Sequence, residues 1–139
     1  MNLVTGSAAI RAGAAYGVIG FGFGFVFGIV RTLLIAPAVG AFVAVAIETP
    51  LMLAACAPLA RWCLRRWSIA TRVAALATGL VAFAALMVCE VLLGLALGQA
   101  PQAMLEAMAR SAGLLGLAGQ ITFALLPLGW TAVKRLPRQ

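Results

Sequence analysis

Polar residues are so sparse along this chain that the gaps between them, more than any alternation, define its elements. Four long apolar stretches stand out, at about 12–35, 39–60, 73–97 and 112–133; the first runs from Ala12 to Val30 and continues past Arg31 towards Ile35. A hydrocarbon core about 30 Å thick needs about 20 apolar residues of helix, and each stretch supplies them. The pattern predicts an all-α polytopic membrane protein: one transmembrane domain over 1–139, with four transmembrane helices in an antiparallel bundle. Residues 20–28, GFGFGFVFG, alternate like a strand, but a lone strand leaves its backbone unsatisfied in lipid. Read as helix, Gly17, Gly20, Gly24 and Gly28 form one smooth face that permits close approach of another helix, inside the monomer or between copies.

The loop between the third and fourth stretches has a pattern of its own. Pro101 suits the first turn of a helix, and Met104, Leu105 and Met108 make one apolar stripe. Glu106 and Arg110 stand four apart in the favourable order. A short amphipathic helix over 101–110, lying on the outer membrane interface, is expected.

Composition supports the membrane assignment: 65% of residues are hydrophobic, 9% are charged, and mean hydropathy is +1.13. Too few charges exist to coat a soluble domain. The net charge of +7 is concentrated between apolar stretches, which fits loops facing anionic lipid rather than nucleic acid. With the N-terminus inside, Arg11, Arg61, Arg65, Arg66, Arg72, Lys134, Arg135 and Arg138 are cytoplasmic, against Arg31 and Arg110 outside. Both termini are therefore expected in the cytoplasm. Trp62, Trp67 and Trp130 fall at the same interface, where with Arg61, Arg65 and Arg66 they read as anchors and lipid head-group contacts. Nine of the ten basic residues are Arg, and Ala and Gly abound, which points to a GC-rich bacterium and so to its inner membrane. The N-terminus has neither a basic region nor a cleavage motif of a signal peptide, so the first apolar segment is expected to be retained.

Candidate chemistry is narrow. The chain has no His, and Cys56, Cys63 and Cys89 show no CxxC spacing. No metal site, cofactor or enzyme activity is expected; the cysteines read as free thiols in a bundle. The informative residues are ionisable ones inside the spans. Glu48 lies nine residues below Val39, roughly 13 Å deep; Glu90 lies seven below Leu97, roughly 10 Å; Gln120 lies eight below Ala112, roughly 12 Å. Arg31 enters from just above them. An isolated charge at such depth costs about 2.5–3.5 kcal/mol even on insertion scales. One arginine cannot neutralise two carboxylates, so at least one Glu is expected to be protonated or wet. Pro50 removes the hydrogen bond to the Ala46 carbonyl and predicts a kink, Thr49 adds a hydroxyl beside it, and the freed carbonyl beside Glu48 resembles part of an ion or substrate pocket. Pro127 is a second candidate hinge.

The first half, with Gly24-Phe25-Val26-Phe27-Gly28, Arg31, Pro37, Gly40, Glu48-x-Pro50 and Ala60-Arg61-Trp62, resembles a group of uncharacterised small four-helix bacterial inner-membrane proteins. The resemblance covers about forty residues and implies no activity; it adds support for a pairing of Arg31 with Glu48. Two functions then stand open. An accessory or interaction subunit would dock on a homo-oligomer or larger membrane complex through its glycine face and apolar surface, the polar cluster serving to fix packing. The near absence of mass outside the bilayer favours it. The alternative is a proton- or cation-coupled channel or transporter using Glu48 and Glu90.

Overall fold

The computed structural model describes residues 3–133, which are almost wholly helical. In chain order they form α1 (Leu3–Val30), a π-helical turn (Arg31–Ile35), α2 (Ala36–Val39), α3 (Ala41–Arg66), α4 (Arg72–Ala96), α5 (Pro101–Ala109) and α6 (Ser111–Val133). Four helical stretches are long and apolar enough to cross a membrane: Thr5–Val39, Ala41–Arg66, Arg72–Ala96 and Ser111–Ala132. Large apolar side chains cover the outside, with Leu33, Leu34, Leu80 and Leu92 each 60–70% exposed. Such a surface is stable only against lipid or another apolar partner. Lys134, Arg135 and Arg138, counted above for orientation, lie outside the described residues.

The first helix starts at Leu3 rather than near Ala12. Its opening turns contain Thr5, Ser7 and Arg11, which hide it from a hydropathy reading, but Ala9 and Ala12 are fully buried. They pack with Leu64, Ile69, Ala74 and Ala75 in a small-residue cluster at the end of the molecule that carries the α3–α4 turn. That turn ends at Thr71, whose side-chain oxygen accepts from the Ala74 N–H at 3.2 Å and caps α4.

The other end of α1 is governed by Pro37. Proline has no N–H for the Leu33 carbonyl, and its ring crowds that oxygen. The chain responds by widening: the Ala36 N–H reaches back five residues to the Arg31 carbonyl, the hydrogen bond of a π turn. Gly40 then reverses direction alone, at φ 84° and ψ 160°, between the Ala36 carbonyl it bonds at 2.9 Å and the start of α3. No L side chain tolerates that conformation without strain.

Glycines also set the packing. A Cβ at Gly13 would lie 2.6 Å from the Thr78 carbonyl, and one at Gly17 would lie 2.5 Å from that of Ala82, so α1 and α4 run alongside in the same direction with backbones almost touching. Gly79 admits the Ala124 carbonyl of α6 more closely still, 1.9 Å from where a Cβ would stand. Gly20 receives the ring of Phe123, and Gly24 only the flexible tip of Met52. At Gly28 no neighbouring helix is within reach, and the nearest atom belongs to Arg31. The glycine face is thus occupied inside the monomer, tight at one end and open at the other.

These positions make a graded prediction for thermal unfolding in detergent. Gly40→Ala should cost about 1–3 kcal/mol through backbone strain alone, since nothing lies within 4 Å of the new methyl. Gly79→Ala should cost a similar amount, about 1–3 kcal/mol, through overpacking. Gly22→Ala, helical and facing open space, should be neutral or stabilising by up to about 1 kcal/mol.

Candidate functional site

Where the glycine face opens, the helices part around a half-open cleft of about 820 Å³. Arg31, Glu48, Thr49, Glu90 and Gln120 all line it, delivered by the π turn, α3, α4 and α6. Arg31 Nε lies 2.5 Å from Glu48 Oε2, an ion pair without a well-aligned hydrogen bond from that nitrogen. On the other side, Gln120 Nε2 donates to Glu90 Oε1 at 2.7 Å. Among the described residues no hydrogen bond or ion pair joins these two pairs. The expected single cluster is therefore two pairs sharing one cavity.

Their electrostatics differ. Glu48 has a full positive charge against it. Glu90 has only a neutral amide, so its charge is not balanced by its partner. Arg110 also lines the cleft, but it stands at the junction of α5 and α6, ten residues and roughly 15 Å of helix rise from Gln120. It is exposed, at the mouth.

Two local expectations need correction. Pro50 does not open the backbone towards the cleft: Ala46 and Pro50 are exposed and share the opposite face of α3, while Val45, Glu48, Thr49 and Met52 line the cavity. Residues four apart share a helix face, so the carbonyl that Pro50 leaves without a donor points away with it. The Thr49 hydroxyl spends its proton on the Val45 carbonyl at 2.8 Å, so it offers the cleft oxygen lone pairs and no donor. The pattern over 101–110 is likewise redistributed. Met104, Ala107 and Met108 of α5 line the cleft, and Leu105 is 68% exposed. Arg110 leaves the helix in an extended conformation, so the expected pairing with Glu106 does not form. α5 lies on α6, with Gly113 giving room for the Ala107 carbonyl and Met108, and Gly94 for the Met104 thioether.

Tyr16 is a residue that pattern reading passed over. It is fully buried, stacked on Phe123 with ring centroids 4.2 Å apart, and its hydroxyl donates to the Phe123 carbonyl at 2.9 Å. That carbonyl is the one Pro127 leaves without a donor, four residues on. The candidate hinge at Pro127 is thereby bridged to α1 immediately below the cleft. The clue in the sequence was a lone Tyr in an apolar span, whose hydroxyl must find an acceptor.

The aromatic and basic residues at the far end divide by role. Trp62 is half exposed and meets Trp67 edge to face; Arg66 lies 5.6 Å from the Trp67 ring and Arg61 5.4 Å from that of Trp130. Arg65 is exposed. Trp130 is a helix-to-helix tie more than an interfacial anchor, because its indole N–H donates to the Ala57 carbonyl of α3 at 3.0 Å. Cys56, Cys63 and Cys89 carry free thiols, the first two in the core. No group of three or more Cys, Asp or Glu among the described residues is placed to hold a metal.

No protein-family model matches the chain, and no curated protein or solved structure is significantly similar to it.

Two stability measurements follow. Tyr16→Phe keeps the ring and leaves the Phe123 carbonyl unpaired in an apolar core, and should lower unfolding free energy by about 1–3 kcal/mol. Arg31→Met and Glu48→Gln should each destabilise, and the double variant should recover part of the loss. A double-mutant cycle should return a coupling of about 0.5–3 kcal/mol; additive losses would mean the ion pair contributes nothing.

Proposed function

We propose that this is a small multi-pass protein of the bacterial inner membrane that moves protons or cations through the cleft, with Glu90 as the binding carboxylate. The observation behind this reading is the unequal treatment of the two glutamates. Arg31 holds Glu48 as a paired charge, whereas among the described residues Glu90 meets only Gln120 and so retains the capacity to take up a positive charge. An intramembrane carboxylate without a counter-charge is costly and marks a pathway more often than a packing device. In this arrangement the spans alternate in direction as an antiparallel bundle, both termini are cytoplasmic, and α5 lies at the outer interface over the cleft mouth. Four helices barely enclose a pore, so transport proceeds by exposing Glu90 to either side or within a homo-oligomer.

An accessory role in a larger membrane complex is the second candidate. It is supported by the nearly unbroken apolar exterior, including Leu33, Leu34 and Leu80. The glycine face no longer supports it, since α3, α4 and α6 occupy the part that would dock.

Reconstitution in liposomes separates the two. With an imposed pH gradient or potassium gradient, the native protein should pass protons or cations faster than empty vesicles. Glu90→Gln should abolish the flux while preserving helicity and a single gel-filtration peak, and Glu106→Gln, outside the cleft, should leave it unchanged. No flux from the native protein, together with stoichiometric co-purification of other membrane proteins in mild detergent, would select the accessory role.

A further inference from the structure

The lining of the cleft narrows the kind of cation that suits it. A hard inorganic cation exchanges its hydration shell for several oxygens, six or so for most. Of the oxygen-bearing side chains lining the cleft, Glu48 is paired with Arg31, and beside the Glu90–Gln120 pair there are only the neutral groups of Thr32, Thr49 and Gln99. What it offers in quantity is soft, deformable apolar surface. The chain has five methionines, and four of them, Met52, Met87, Met104 and Met108, line this one cavity from three different helices. Methionine is unbranched and polarisable, and surfaces rich in it adapt to ligands of varied shape. Phe21 and Phe25 add an aromatic wall, their rings tilted with centroids 6.3 Å apart, and Phe25 is 44% exposed. Aromatic faces attract cations most strongly when water is excluded. The cavity volume of about 820 Å³ falls within the roughly 300–1,000 Å³ of small-molecule pockets.

Charge bookkeeping agrees. The charged groups facing the cleft are Arg31, Glu48, Glu90 and Arg110. The first two cancel in their ion pair, Arg110 stands at the mouth, and Glu90 is left alone at depth beside its amide. We infer that the cleft is a binding site for a lipophilic organic cation, with its charge met by Glu90 and its apolar body lodged between the methionines and the Phe21–Phe25 wall. Such a cation is weakly hydrated and soluble in the bilayer, so the half-open cleft can receive it without supplying an oxygen cage. The inference names the substrate class for the site proposed above and rests on that reading of Glu90.

The test uses the full chain in nanodiscs and radiolabelled tetraphenylphosphonium, measured by equilibrium dialysis against empty nanodiscs. Saturable binding above the lipid background is expected, weakened by about tenfold or more in Glu90→Gln and by about three- to tenfold in Phe25→Leu. Tetraphenylborate, of the same shape and opposite charge, should not displace the label. Absence of saturable binding would overturn the inference, as would undiminished affinity in Glu90→Gln or equal competition by tetraphenylborate. Should Glu90→Gln fail to fold, Phe25→Leu decides, unchanged affinity there being the overturning result. Glu90-dependent proton or potassium flux without phosphonium binding would remove the lipophilic cation and leave the transport reading standing. Phosphonium binding without flux would keep the site and remove transport.

Discussion

Hydrocarbon offers no hydrogen bonds, so each polar group inside a span must find its partner within the protein. Most of the long-range ties of this molecule answer to that constraint. Pro127 strips the Phe123 carbonyl of its donor, and Tyr16 crosses from α1 to supply one. Trp130 ties α6 to α3 through the Ala57 carbonyl. Thr49 and Thr78 settle locally, each donating to the carbonyl four residues back. Arg31 and Glu48 balance each other's charge, although Arg31 Nε makes no aligned hydrogen bond. Against that background Glu90 is the exception, because an amide satisfies a hydrogen bond but not a charge.

Packing converts the same constraint into a shape. Apolar burial cannot drive helices together when the surroundings are equally apolar, so close contact depends on small residues. Along α1 the glycines meet successively looser neighbours: backbone of α4 at Gly13 and Gly17, a rigid ring at Gly20, a methionine tip at Gly24, and no other helix at Gly28. The helices therefore converge at the Ala9–Ala12 end and spread at the Arg31 end. The cleft is the space left by that spread, and the Tyr16–Phe123 stack belongs to the packed core beyond it. Tight packing below and adaptable methionines above are consequences of one gradient.

That division explains which features were legible in the sequence. Spans were legible because hydropathy over twenty residues is a strong signal, and each of the four observed helices overlaps its expected range. Glu48, Glu90, Gln120 and Arg31 were legible because ionisable residues are conspicuous in apolar runs and helical rise gives their depth. Facing was not. Whether Pro50 opens towards the cavity depends on which side of α3 meets α1 and α6, and no periodicity is visible in a helix that is apolar all round. The same blindness merged two pairs into one cluster and gave Leu105 to the same stripe as Met104 and Met108. The start of α1 was hidden because Ala9 and Ala12 are buried by neighbours whose approach only the fold reveals.

The contrast between the two glutamates also bears on why the Arg31 end is irregular. Pro37 and Gly40 force the chain to turn within a few residues, and the π turn that results begins at Arg31 itself. A π turn adds a residue to the helical circuit and so changes the face on which later side chains emerge. Arg31 is held at that transition, against Glu48 just after the reversal. The ion pair thus closes the connection between the first two spans, a structural duty that occupies Glu48 fully. Glu90 has no comparable duty: α4 is regular around it, and its one polar partner among the described residues, Gln120, is neutral. The carboxylate that shapes the fold and the one free to bind a cation are therefore different residues, although they line the same cleft.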